Sequence, residues 1–307
     1  MPYPLPPYPL AFTKVSLNQH NSNEYLSWNQ SIYGRSPHAL VIGPSAPARA
    51  DVIERLLRYS AMRNIPALVV KPEAGEKDSV AFPAFAGPLT AARLLRALHD
   101  ELHARAQYVH DGGAKLDEIP MLIVAVDGLD TCINEWNEIA AGEDETSKVL
   151  LTSLNPIRAF DDLLAVGRSA RIVLLVGAGG TEFLSRRHGQ LRSLEIFGTR
   201  IGLGGLTLGD AHAMFNDEIE VSELVLEPNQ ALVGSDTGIK PAVHFLSDKG
   251  VPDRTRVKFT AFSEMYAQFL VDQKIPSVMK DDRLGSSVKM PDERFALDPV
   301  SSEKSQS

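Results

Sequence analysis

Asp127 is the residue whose position in the sequence points most directly to chemistry. Six apolar residues, 121–126, follow Pro120 and run directly into this carboxylate. A run of this kind, rich in Val and Ile, predicts a strand buried on both faces of a parallel sheet. A carboxylate at the carboxyl end of such a strand lies in the ligand crevice of an open α/β sheet, where nucleotide-hydrolysing folds hold Mg²⁺. The alternative is a solvated Asp or a cap of the next helix, and the stretch taken alone favours this alternative.

A second candidate site is the segment 43–50, which follows a short apolar stretch at 39–42 and precedes a helix predicted to begin at Asp51. Strand, small-residue loop and helix is the architecture of a phosphate-binding loop, G-x-x-x-x-G-K-[ST]. Here the eight residues read Gly-Pro-Ser-Ala-Pro-Ala-Arg-Ala. Arg49 replaces the lysine, and alanines replace the second glycine and the hydroxyl. Pro47 also removes a backbone donor. Taken alone, the loop does not predict a phosphate site. Its candidate nucleotide-binding residues are Gly43, Ser45, Arg49 and Ala50.

Whether the loop 43–50 and Asp127 lie close together depends on the order of the strands and helices around them. Apolar runs predict strands at 39–42, 65–70, 121–126, 171–176 and 197–203, and helical spacing predicts helices at 89–109, 150–166 and 207–217. The acidic stretch 134–147 is read as a loop or an exposed helix, and late strands are predicted at 242–246 and 256–262. This alternation predicts an α/β fold with a mostly parallel central sheet flanked by helices.

Composition limits the classes of function. The 307 residues are 44% hydrophobic and 23% charged, as in ordinary globular chains, with a formal net charge of −8. DNA contact would therefore need a local basic patch. Cys132 is the only cysteine, which excludes an internal disulfide and favours a reducing, cytoplasmic setting. No apolar run approaches the ~18 residues of a membrane span. We interpret residues 1–33 as a proline-rich arm and its lead-in, 34–272 as one domain, and 273–307 as a disordered polar tail. Within the first segment, residues 1–10 carry no secretory signal and are typical of an extended, polyproline-like arm, whereas 12–17 give a weak strand signal.

Short blocks in order along the chain resemble FtsK/SpoIIIE-type DNA translocases. Residues 37–43, Pro-His-Ala-Leu-Val-Ile-Gly, are similar to the P-H-L-L-V-A-G that leads into the phosphate loop of that family. Further blocks at 99–105, 119–127, 167–172, 197–201 and 256–264 resemble its other motifs, with Asp210 on a following acidic position. The resemblance covers roughly 37–270. It implies a RecA-like P-loop NTPase fold, ATP and Mg²⁺ as ligands, double-stranded DNA as partner, and a ring of identical or partner ATPase subunits.

The departures from the family pattern fall on its chemistry. Gly128 stands where the family has the Glu that activates water, and residues 177–180, Gly-Ala-Gly-Gly, replace the sensor sequence A-T-Q-R. Losing a catalytic base costs ~10²–10⁴ in rate. Asp127 and Asp130 are the candidate catalytic carboxylates that remain, with Asp127 also the candidate Mg²⁺ ligand. We therefore expect a pseudo-ATPase that binds ATP weakly. The alternatives are an active ATP-driven translocase and a scaffold that binds no nucleotide.

Other polar residues have weaker signals. The resemblance places Arg200 at a subunit junction, while Arg186, Arg187 and Arg192 are candidate contacts to the DNA backbone or residues of an exposed loop. His99 and His103 have the i, i+4 spacing of a zinc pair, but a solvated helix face is the favoured interpretation. The glycines after residue 176 suggest a dinucleotide fingerprint, yet Glu182 occupies its third glycine position, which argues against it.

Overall fold

A computed structural model describes most of the first 245 residues. The described residues are 8–17, 20–28, 36–62, 65, 67–71, 84–113, 115–119, 121–183, 194, 196–215, 219, 221–226, 230–235 and 238–245. The strands are β1 (Tyr8–Leu17), β2 (His20–Trp28), β3 (His38–Ile42), β4 (Ala67–Lys71), β5 (Ala84–Ala86), β6 (Leu122–Asp127), β7 (Ile172–Ala178), β8 (Phe197–Leu203), β9 (Gln230–Ser235) and β10 (Gly238–Phe245). The helices are α1 (Ala46–Met62), α2 (Pro88–His110), α3 (Leu129–Ala141), α4 (Glu145–Leu154), α5 (Pro156–Val166) and α6 (Leu208–Phe215). Short 3₁₀ turns lie at Leu116–Glu118, Gly167–Ala170 and Val221–Leu224.

The strands of the described part of the chain form one sheet in the order β2-β1-β10-β9-β8-β3-β7-β6-β4-β5. The six strands from β8 to β5 pair in parallel, and β9, β10, β1 and β2 extend the sheet by antiparallel pairing. The predicted α/β architecture with a mostly parallel, helix-flanked sheet is therefore confirmed. None of the described helices is long and apolar enough to cross a membrane.

The centre of the sheet is buried because its strands are almost wholly apolar. Every residue of β3, β6 and β7 is buried, as expected for parallel strands covered on both faces. Helix α1 packs on these three strands and on β4, while α3 and α5 contact β7. A continuous apolar core then holds the carboxyl ends of the strands in fixed register.

Several local predictions need correction. Helix α1 begins at Ala46 and not at Asp51, so most of the predicted loop 43–50 is helical. By contrast, the exposed-helix alternative for the acidic stretch 134–147 is confirmed, since the stretch lies largely in α3 and α4 and Asp144 accepts hydrogen bonds from the first amides of α4. Residues 8–10, the described end of the proline-rich arm, belong to β1 and not to a polyproline segment, while the strand signal at 12–17 is confirmed by the pairing of β1 with β2.

Other predictions lie on residues beyond this description. The strand predicted at 242–246 overlaps β10, whereas the strand at 256–262 and the tail at 273–307 lie outside the described residues. The boundaries 1–33, 34–272 and 273–307 stay predictions.

Candidate nucleotide site

The two candidate segments meet at one edge of the sheet. Strand β7 lies between β3 and β6, and Gly177 is the register partner of both Val41 and Asp127. Since parallel strands end at the same edge, the loop after β3 and the carboxylate at the end of β6 share the crevice in which open α/β sheets bind ligands.

Gly43 is explained by packing without any ligand. A Cβ atom at Gly43 would lie 2.8 Å from Cβ of Leu203, at the end of β8, which is closer than real Cβ contacts. The Gly43 amide donates to the carbonyl of Ala178 at 3.1 Å, which ties the loop to β7. The glycine that survives from the phosphate-loop pattern is therefore required for β3 and β8 to approach each other.

The early start of α1 removes donors that a phosphate cradle needs. Ser45 precedes the helix, and its Oγ accepts from the Ala48 amide at 3.4 Å while its carbonyl accepts from the Arg49 amide at 3.0 Å. Pro47 falls in the first turn, where a missing N–H is tolerated and the fixed φ favours a helix. Because two loop amides are satisfied within the helix, they are not available to converge on a phosphate.

Arg49 points into the protein and bridges both halves of the site. Its Nη1 donates to the Gly43 carbonyl at 2.6 Å, and its Nε donates to Oδ1 of Asp127 at 3.3 Å. The side chains of Arg49 and Asp127 are only 7% and 11% exposed. The guanidinium therefore neutralises the carboxylate that would hold Mg²⁺, and it uses the backbone carbonyl that opens the loop.

Burial dominates the electrostatics of Asp127. It raises the pKa of the Asp127 carboxyl above its ordinary value, while the charge and hydrogen bond of Arg49 oppose that rise. The described residues contain no group of three or more His, Cys, Asp or Glu side chains able to hold a metal ion. The predicted Mg²⁺ role of Asp127 stays a prediction, and in this arrangement an ion would have to displace the arginine.

The residue after Asp127 has a backbone conformation that favours glycine. Gly128 caps α3 with φ 73° and ψ 39°, the left-handed region, and its amide donates to the Gly177 carbonyl at 2.9 Å. A glutamate at this position would be strained by about 1–2 kcal/mol. The backbone of this turn therefore disfavours a glutamate at the position after Asp127.

Asp130 lies where the sensor side chain would be expected. Its Oδ2 accepts from the Gly179 amide at 2.9 Å, and a Cβ atom at Gly179 would lie only 2.8 Å from the same oxygen. A Cβ at Gly177 would meet Oδ1 of Asp127 at 2.7 Å. Carboxylates therefore fill the space beside the two glycines. Asp130 accepts a hydrogen bond from the loop directly after β7 and is not positioned to act as the water-activating carboxylate.

A hydrogen-bond network beside this edge was not predicted from the sequence, although the resemblance had marked Asp210 as an acidic position. Asp210 accepts from the Thr181 amide at 2.7 Å and from the Thr181 hydroxyl at 2.8 Å, and Thr207 Oγ1 donates to it at 2.6 Å. Although burial opposes the change, these hydrogen bonds lower the pKa of the Asp210 carboxyl. The T-x-x-D spacing at 207–210 is a capping-box signal that could have revealed part of the network.

This network borders a cavity of about 870 Å³ between α3, the loop after β7 and the start of α6. Asp130, Glu182 and Asp210 are among its lining residues, and no Lys or Arg is found among the described residues that line it. The negative charge of this lining disfavours a phosphate.

The remaining predicted residues are not brought to this edge. Arg200 lies in the middle of β8, and it precedes Ile201, which is in register with Val41 and hence with Asp127. Since side chains alternate along a strand, Arg200 lies on the face of the sheet opposite to that of Asp127. Its role at a subunit junction stays a prediction. Arg186, Arg187 and Arg192 lie outside the described residues.

Comparison with solved structures supports the fold. The cytoplasmic domain of the Thermomonospora curvata type VII secretion ATPase EccC matches with a TM-score of 0.52 and 18% identity over 80% of this chain and 30% of that chain. The pCW3 conjugation coupling protein TcpA, in a monomer form with ATPγS, matches with 0.53 and 16% over 82% and 71%. EssC (ATPases 2 and 3) from Geobacillus thermodenitrificans matches with 0.56 and 11% over 86% and 50%.

The chain has the fold of FtsK/SpoIIIE-type P-loop ATPases. This confirms the sequence-based prediction at the level of fold, and at identities of 11–18% it establishes the fold alone. The chain spans less than two thirds of the EccC and EssC chains. No protein-family model and no curated protein matches it.

Proposed function

We propose that the chain is a pseudo-ATPase module of FtsK/SpoIIIE type that acts in DNA handling or as an assembly subunit. The observation that carries the proposal is the internal bridge from Arg49 to Asp127 and to the Gly43 carbonyl. P-loop enzymes use a lysine on the phosphates and a carboxylate on Mg²⁺ at these positions. Here the side chains at these two positions, Arg49 and Asp127, form a hydrogen bond with each other.

The bridge predicts weak nucleotide binding. For Mg²⁺ to reach Asp127, the guanidinium of Arg49 must give up its buried hydrogen bonds to Asp127 and to the Gly43 carbonyl, which at about 1.5–3 kcal/mol each costs roughly 3–6 kcal/mol. Even the lower value corresponds to on the order of 100-fold in affinity. Turnover would be reduced further, since Gly128 supplies no base and Asp130 accepts a hydrogen bond from the Gly179 amide in the loop after β7.

Partners and surroundings are part of the same proposal. EccC and EssC are described as ATPases and TcpA as a conjugation coupling protein. By analogy of fold, we propose double-stranded DNA as a partner, contacted through Arg186, Arg187 and Arg192. We also propose a ring of identical or partner ATPase subunits, with Arg200 near the subunit junction. The proposed setting is cytoplasmic. Because the formal net charge is −8, any contact with DNA must be made through a local basic patch.

The first experiment measures MgATP binding and ATP turnover with and without duplex DNA, in the full chain and in Asp127→Ala. We expect millimolar or weaker binding of MgATP, and no turnover that depends on Asp127. DNA-stimulated turnover that is abolished in Asp127→Ala would instead establish an active translocase.

The second experiment measures duplex DNA binding over a range of salt concentrations. We expect binding that weakens as salt rises and that falls in Arg186→Ala/Arg187→Ala, because contacts to phosphates release counterions. Arg158→Ala, which removes an exposed arginine of α5, is the matched control. The absence of salt-sensitive binding would contradict the DNA role and favour the scaffold.

A further inference from the structure

His99 and His103 on α2 are brought together with a carboxylate from a second helix. The Nε2 atoms of the two histidines are 3.2 Å apart, and His99 Nε2 is 3.0 Å from Oδ2 of Asp162 on α5. The side chain of His99 is only 14% exposed, so it is not the solvated residue that the sequence favoured. His103 is exposed beside it.

Hydrogen bonding alone does not satisfy this arrangement. A ring nitrogen carries either one hydrogen or one lone pair, so His99 Nε2 cannot make a good hydrogen bond to His103 and to Asp162 at the same time. If it donates to Asp162, its contact with His103 is poor. If it accepts from His103, its lone pair faces the carboxylate. A cation held by both ring nitrogens beside the carboxylate removes this conflict.

We propose that His99 and His103 form a two-histidine chelate for a borderline divalent ion such as Zn²⁺, Ni²⁺ or Cu²⁺. Metal–imidazole bonds of about 2.0–2.1 Å place adjacent ligand atoms about 3.0–3.4 Å apart, which the observed 3.2 Å matches. The protein supplies these two ligands, and water completes the coordination, since no group of three such side chains in the described residues could hold an ion.

Carboxylates around the pair favour a cation. Asp162 contributes negative charge next to His99 Nε2, and Asp100 Oδ1 lies 3.6 Å from the other ring nitrogen, Nδ1. At 3.6 Å Asp100 makes no hydrogen bond to His99 Nδ1, so both carboxylates act on a bound cation through their negative charge. Asp100 is itself held by Arg96 at 3.0 Å, which fixes its position on α2. The site is independent of the nucleotide proposal, because none of its residues contacts the edge at Asp127.

The test is isothermal titration of the untagged, chelator-treated full chain with ZnCl₂, NiCl₂, CuCl₂ and MgCl₂ in a buffer that does not coordinate metals. We expect one equivalent of Zn²⁺ to bind, Cu²⁺ to bind more tightly than Zn²⁺, and Mg²⁺ not to bind. His103→Ala, an exposed change that should not disturb folding, is expected to weaken Zn²⁺ binding at least tenfold.

His110→Ala is the matched control, since His110 lies on the same helix with a side chain that is 83% exposed. It should leave Zn²⁺ binding unchanged, whereas Asp162→Asn should weaken binding less than His103→Ala does. The proposal is overturned if the wild-type chain does not bind Zn²⁺, if His103→Ala binds it equally well, or if His110→Ala causes the same loss.

Discussion

Replacing Arg49 by Met removes the positive charge that faces Asp127 and keeps a side chain that can fill part of the space. With side chains only 7% and 11% exposed, the two groups form a buried pair, and removal of one partner leaves an uncompensated buried charge. Such losses are typically about 3–5 kcal/mol. Because the contact with Asp127 is a single hydrogen bond of 3.3 Å, we expect the lower end, a decrease of about 3 kcal/mol in the free energy of unfolding at pH 7.5.

The same variant has a predictable dependence on pH. Burial already raises the pKa of the Asp127 carboxyl, and without Arg49 that pKa rises further. An acid whose pKa is higher in the folded than in the unfolded state favours folding when protonated. This contribution is present at low pH and is lost as pH rises through the folded pKa. The difference between Arg49→Met and the wild type should therefore be larger at pH 7.5 than at pH 4.5.

Urea unfolding followed by tryptophan fluorescence measures these differences, since one of the two tryptophans, Trp136 of α3, is buried. The double variant Arg49→Met/Asp127→Asn should lose at least about 1 kcal/mol less than the sum of the single variants, since it leaves no unpaired charge. Arg93→Met, on the exposed side of α2, is the matched control and should change stability by less than about 0.5 kcal/mol. A loss below about 1 kcal/mol in Arg49→Met at pH 7.5, or strict additivity in the cycle, would refute the reasoning.

Three further predictions concern residues outside that pair. Burial lowers the pKa of His38 to about 4, and its Nδ1 accepts from the Leu174 amide at 2.9 Å. Only the unfolded chain then takes up this proton, so stability should fall by up to about 3 kcal/mol between pH 6.5 and 4, and His38→Gln should reduce that slope in urea titrations. Gly128→Ala should lower the free energy of unfolding by about 1–2 kcal/mol, because φ is 73° there. Arg105→Met should cost about 3–5 kcal/mol, since its fully buried side chain pairs with Glu101 at 2.9 Å and donates to the Ala170 carbonyl.

Each of these predictions has its own contradicting result. An unchanged slope in His38→Gln would show that other groups cause the acid sensitivity. Gly209→Ala, where a Cβ would make only an ordinary contact with Thr207 Oγ1 at 3.8 Å, is the control for Gly128→Ala, and equal effects would remove the conformational argument. Arg96→Met removes an exposed arginine of α2, and a loss as large as that of Arg105→Met would deny a special role to burial.

The fold could be predicted because its strongest signals are local. An apolar run such as 121–126 can only be accommodated in a strand covered on both faces, and β6 begins and ends within one residue of that prediction. The strand predicted at 197–203 coincides with β8. Helix α2 differs by one residue at each end from the predicted 89–109, because its leucines recur at helical spacing.

The candidate site could be predicted only in part, because its geometry depends on distant contacts. The sequence identified Arg49 as a poor substitute for lysine, but its direction is set by Asp127, 78 residues away. The start of α1 was misplaced because small residues and prolines are common to loops and first helical turns. In the antiparallel half of the sheet, the late strand at 242–246 was predicted, but its pairing with β1 was not, since the two strands are more than 200 residues apart.

The lost chemistry is not a set of gaps that single substitutions would fill. Leu203 packs where a side chain at Gly43 would lie, and Asp130 Oδ2 lies where a side chain at Gly179 would begin. Arg49→Lys would supply an ammonium, but the first turn of α1 would still satisfy the loop amides, and Gly128 would still provide no base. At each of these positions a contact that stabilises the fold stands where the proposed function places a missing catalytic group. If the chain is the pseudo-ATPase proposed above, turnover requires the loop, the turn after Asp127 and the sensor position to change together, and Arg49→Lys alone should show no gain in ATP turnover.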